Sequence, residues 1–126
     1  MIKKIFNINN KWKVIVYYNI DYNLFAYIAN DIRKLGVKDK TINRVYKMMS
    51  SGRAKAVTIS SPVKKCSIIG FNKSTSDYDL INSIAHEAGH VMEAMLNYYN
   101  IDIKGEEPAY TIGHLVQIML EPLALI

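Results

Sequence analysis

Apolar positions recur along the chain in two periods, and together they predict an alternation of short strands and helices. Trp12–Tyr18 (WKVIVYY) is β-branched and aromatic almost throughout, the make-up of a strand. Leu24, Phe25, Ile28, Ile32 and Leu35 then follow at helical spacing, with Asp21 as a cap before them and Gly36 as a stop after them. Ile42, Val45, Tyr46 and Met49 mark a shorter helix, opened by Asp39 or Thr41 and closed by Ser50-Ser51-Gly52. Ala54–Ser60 and Lys65–Phe71 read as two strands of a hairpin joined by Ser61-Pro62-Val63-Lys64. Ser76 and Asp79 have the spacing of a capping box, and a long helix runs from there to about Tyr99. Asn100–Lys104 turns the chain, and Gly105 leads into a final helix that frays near Glu121-Pro122. The pattern predicts an α+β fold with a small sheet, and the length of 126 residues fits one domain over 1–126.

The long helix carries the chemistry. His86-Glu87-Ala88-Gly89-His90 sets two histidines four residues apart, one turn along the same helical face. Both imidazoles can reach one metal ion, and Glu87 lies beside them as a base for a metal-activated water. Ile81, Ile84, Ala85, Ala88, Val91, Met92, Met95 and Leu96 form one broad apolar side, and the histidines oppose it with Asn82, Ser83, Glu93 and Asn97. That placement argues against core histidines and leaves a solvated surface pair as the alternative to a metal site. Catalytic zinc takes three protein ligands, so a third must come from elsewhere. Glu106 and Glu107 open the last helix and are the candidates. An apolar stripe of Ala109, Ile112, Val116, Met119, Leu120 and Leu123 puts Glu106 at its edge and Glu107 nearly opposite, which favours Glu106. Either acid can instead simply complement the helix dipole. Tyr110 and His114, on the same helix, are candidate donors to an oxyanion, with a structural tyrosine and a surface histidine as the alternatives. Gly89 is expected to let two helices approach closely. Glu93, one turn past His90, reads as a solvated acid, an outer partner of the histidine or a substitute ligand.

This motif followed by a glutamate on the next helix resembles the gluzincin branch of zinc metallopeptidases, the thermolysin-like arrangement. The small size is similar to that of minigluzincins. The stretch from about Ala56 to Met119 also looks like small proteins with the same histidine pentad from bacteriophages and mobile elements. The resemblance rests on short motifs over roughly half of the chain. It implies a zincin-like fold, Zn2+ held by His86, His90 and Glu106, and Glu87 as general base. It also implies that the hairpin walls a cleft in which a peptide or protein substrate is added as a strand and cut at an amide bond.

Composition and charge narrow the setting. Half of the residues are hydrophobic and 21% are charged, enough for a core and unlike a disordered chain. The net charge is +5, but the lysines are scattered along the sequence, so nucleic-acid binding is not expected. No window approaches a membrane span. Met1-Ile-Lys-Lys-Ile-Phe imitates the start of a signal peptide, and Asn7, Asn9, Asn10 and Lys11 interrupt it. A single cysteine, Cys66, allows no intramolecular disulfide, and it reads as a small buried hydrophobe. A cytoplasmic protein is therefore expected. Tyr17, Tyr18, Tyr22 and Tyr27 read as core or interface residues rather than a groove. The apolar Leu123–Ile126 end is a candidate for docking on the core or on a second subunit, as in a homodimer. The residues and the resemblance together leave three functions: a zinc metallopeptidase, a metal-stabilised binding module without catalysis, and a regulatory protease acting on one cytoplasmic partner, the last implied by the resemblance alone.

Overall fold

A run of seven residues that is apolar at nearly every position must be covered on both sides. In the computed structural model, which describes residues 1–100 and 106–123, that run is strand β2 (Trp12–Tyr18), inside a four-stranded mixed sheet. Val14, Val16 and Tyr18 face one layer of helices, and Ile15 and Tyr17 face the other. The fold is α+β, with four helices among the described residues.

Strand β1 (Ile2–Ile8) precedes β2 and pairs with it antiparallel through a turn in which Asn9 and Asn10 both take positive φ. Asparagine tolerates that conformation because its short polar side chain satisfies the local backbone. β1 was not legible as a strand, since along it only Ile8 is buried. Helices α1 (Phe25–Lys34) and α2 (Asp39–Ser50) lie where the periodicity predicts. Asp21 does accept from the Asn23 N–H, at the head of a short 3-10 turn. Phe25, Ile28, Ile32, Ile42, Val45 and Met49 bury against Ile15, Tyr17 and Ile68. β3 (Ala56–Ser61) and β4 (Cys66–Phe71) form the expected antiparallel hairpin. β4 then inserts parallel to β2, giving the strand order β1-β2-β4-β3.

The second helical layer covers the opposite face. Helix α3 (Asp77–Tyr99) starts at Ser76, whose hydroxyl accepts from the Asp79 N–H. Asp79 does not complete the reciprocal half of a capping box; its carboxylate pairs with Lys55. α3 buries Ile84, Ala88, Val91, Met92, Met95 and Leu96, whereas Ile81 and Ala85 are exposed. Helix α4 (Glu106–Leu120) joins the same layer through Leu115 and Met119, and the Tyr18 hydroxyl donates to the Met119 carbonyl at 2.8 Å. The turn expected after Asn100, the lead-in at Gly105 and the apolar end past Leu123 lie outside the described residues. No described helix is long and apolar enough to cross a membrane. Cys66 is buried among the first helical layer's core residues, and burial pushes its thiol up from its ordinary value. Tyr17 and Tyr18 are core residues, Tyr22 stacks on Phe25, and Tyr27 is exposed.

Candidate metal centre

His86 and His90 project from the exposed side of α3, with Nε2 to Nε2 at 3.2 Å and the rings nearly perpendicular. Two nitrogens bound to one tetrahedral zinc at about 2.0–2.1 Å lie roughly 3.3 Å apart. The pair therefore has the spacing of two ligands on one ion. Side-chain ligand atoms of His86, Glu87 and His90 all fall within 4.8 Å of one another, so the three fit around a single divalent metal.

Glu87 differs from its neighbours in burial. It turns inward from the exposed histidines and keeps 4% of its surface. Its Oε2 has no hydrogen-bond partner among the described residues, and neither has the buried Thr58 hydroxyl on β3. Burial pushes the Glu87 carboxyl above its ordinary value; His90, His86 and the nearby Thr58 hydroxyl work against that shift. A buried polar oxygen without a partner costs roughly 1–3 kcal/mol, so the arrangement is expensive unless a ligand or water completes it.

A cleft of about 580 Å³ runs over this group. One wall is β3, through Ala56, Val57, Thr58 and Ser60, and the other is α3, through His86, His90, Glu93, Ala94 and Asn97. β3 pairs only with β4 among the described residues, so its second edge is open. The wall is tied to the core: Ser60 and Ser67 hydroxyls lie 2.6 Å apart, and the Trp12 indole donates to Ser67 at 2.9 Å. Glu93 is exposed, with Oε2 at 3.7 Å from His90 Nδ1, on the side of the ring away from His86. That is the position of an outer partner to the histidine rather than of a third ligand.

The remaining candidates stand elsewhere. Glu106, Glu107, Tyr110 and His114 line a separate cleft with Ile8 and Asn9, and neither glutamate belongs to the histidine group. The helical phase explains the difference. Of the predicted stripe, Ile112, Val116, Met119, Leu120 and Leu123 pack on the core, but Ala109 is exposed and Pro108 and Leu115 are buried, so the buried centre of α4 is rotated and Glu106 lies away from it. Tyr110 is 74% exposed. Gly89 does not mark a close approach, since a Cβ there would meet nothing within 4 Å. Thr58 was missed by sequence reasoning; a threonine on an edge strand carries no signal of its own. Comparison of the chain with protein-family models, with curated proteins and with solved structures gives no match.

Proposed function

We propose that the chain is a zinc-dependent hydrolase of the metallopeptidase type, cutting an amide bond in a peptide or protein laid along the cleft between β3 and α3. The observation that carries this reading is the 3.2 Å spacing of the two imidazole nitrogens above a buried, unpaired carboxylate oxygen. His86 and His90 would hold the ion, and beside them Glu87 alone among the described acids and histidines is within reach of it. Bound zinc supplies Lewis-acid activation of a water and of the scissile carbonyl. Glu87 takes the proton of the attacking water on Oε2 and returns it to the leaving amine. The open edge of β3 offers backbone N–H and C=O groups to an extended substrate, which fixes the scissile bond over the histidines. An active helix beside an edge strand is also what the gluzincin likeness implies, and the zincin-like fold belongs to this proposal. So does a cytoplasmic setting, which the single buried cysteine supports. Because Glu106 and Glu107 line the other cleft, they are given no place on the metal, and Tyr110 and His114 no part in the oxyanion site.

One observation favours a second reading. The Glu87 carboxylate lies within 4.8 Å of both imidazoles, close enough to swing onto the ion as a third ligand. Glu87 would then be spent as a ligand with no base left beside the ion, which suits a binding module rather than a hydrolase. Elemental analysis of the purified chain, beside casein cleavage, separates the two. The proposal expects about one zinc per chain in the wild type and in Glu87→Ala, none in His86→Ala, and cleavage by the wild type alone. Zinc lost from Glu87→Ala makes that residue a ligand and supports the module. A wild type that takes up no zinc overturns both.

A further inference from the structure

Lysines alone are scattered along the chain, but lysines and arginines together are not. Residues 33–55 hold eight of the 16 Lys and Arg, all three arginines among them, against a single acid, Asp39. This stretch is the end of α1, the whole of α2 and the approach to β3, and α2 packs on the sheet face opposite the candidate metal centre. Asp39 is taken by Arg33 at 2.7 Å. Of the other acids in this layer, Asp31 is buried against Lys3, and Asp21 lies ahead of α1, where it accepts from the Asn23 N–H.

α2 divides cleanly into two sides. Ile42, Val45 and Met49 are buried in the core. Lys40, Asn43, Arg44 and Lys47, spaced i, i+3, i+4 and i+7, are all exposed and form one stripe on the side opposite them. Lys38 precedes the first turn of the helix, and Arg53 follows the last, where the Ala54 N–H donates to the Met48 carbonyl and folds the loop back. None of these five cations pairs with a carboxylate among the described residues.

The connection between the helices is a second, independent sign. Only residues 35–38 join α1 to α2, and the chain turns at Gly36, whose φ of +86° a residue with a side chain rarely adopts. Two short helices joined by a glycine turn of this length are the arrangement that offers a second helix to a DNA groove.

We infer that the outward face of α2 binds duplex DNA in the major groove, with Lys40 and Lys47 on phosphates and Asn43 and Arg44 toward base edges. The stripe favours DNA over other polyanions. Asparagine and arginine are the side chains that pair bidentately with adenine and guanine edges there. The major groove of A-form RNA is too narrow for side chains to read. An anionic membrane needs an apolar helix face to insert, and that face of α2 is in the core. The surface lies across the sheet from the β3–α3 cleft, so the inference is independent of zinc and of cleavage.

Fluorescence anisotropy of a fluorescein-labelled DNA duplex of about 20 base pairs, titrated with the full chain, tests this. The expected Kd is about 1 µM or tighter at roughly 50 mM salt, weakening with a log–log slope of about −4 as five cations leave the phosphates. Lys40→Gln with Arg44→Gln and Lys47→Gln should weaken binding at least about tenfold and cut the slope by roughly 3. The melting temperature should hold, because all three side chains are exposed. Lys11→Gln with Lys64→Gln and Lys65→Gln removes the same charge around the β3–β4 turn and α3, where Lys11 and Lys65 lie over Tyr99 and Tyr98. That control should change binding by less than about threefold. No binding of the duplex, equal loss in the two triple variants, or tighter binding of an RNA duplex, poly-glutamate or phosphatidylserine vesicles would each overturn the inference. No metal or cleavage enters the assay, so its failure is distinct from failure of the zinc test.

Discussion

At the scale of single residues, two buried acids show how surroundings decide what a carboxylate does. Asp31 is buried beside Lys3, whose ammonium lies 2.9 Å away, and it accepts a hydrogen bond from the Tyr17 hydroxyl. Burial alone would raise its pKa, but Lys3 and Tyr17 outweigh burial and hold it below the ordinary carboxylate value. Tyr17, pushed up to about 12 by burial first and Asp31 second, keeps its proton as the donor. A folded-state pKa held below the unfolded one adds stability above the unfolded value and loses it as pH falls through the folded value. Asp31→Asn should therefore cost roughly 1–2 kcal/mol near neutral pH in urea unfolding, and the gap to the wild type should close in acid. A gap that persists at low pH would mean packing, not charge, is what the residue supplies. Glu87 has the opposite surroundings, with no cation fixed against it and one oxygen unpaired. Its identity as a candidate base was legible in the motif. Its burial was not, because the apolar stripe of α3 places it only at a boundary, and the packing of β3 decides which way it turns.

At the scale of elements, strong periodicity was readable and weak periodicity was not. β2, both helices of the first layer, the hairpin and α3 follow their apolar patterns to within two residues. β1 carries Ile2 and Ile5 exposed among lysines and becomes a strand only because β2 offers it seven backbone partners. In α4, Ala109 is small enough for either face, so the pattern could be phased in two ways, and Leu115 with Pro108 takes the inner face. Glu106 follows that phase and lines the cleft with Ile8 and Asn9. Besides the burial of Leu115 and Met119, the Tyr18 hydroxyl ties α4 to the sheet through the Met119 carbonyl. Tyr18→Phe should cost about 1 kcal/mol and speed amide hydrogen exchange selectively in α4. Uniform loss of protection across the sheet would show that the hydroxyl serves the core as a whole.

At the scale of the molecule, the sheet separates two tasks. One face, with α1 and α2, contains the Asp31 network and the first core cluster. The other, with α3 and α4, carries the cleft and the histidine pair. Trp12, the only tryptophan in the chain, sits on that second face. Its ring is 2% exposed and meets Tyr98 edge-on, while its N–H reaches Ser67, whose hydroxyl touches Ser60 in the cleft wall. The molecule thus contains a built-in optical gauge. Excitation of this one indole reads the state of the wall from behind, without a label. A peptide seated on β3 should shift its emission, and Ser67→Ala should cut the link and silence the shift while leaving the seat itself intact.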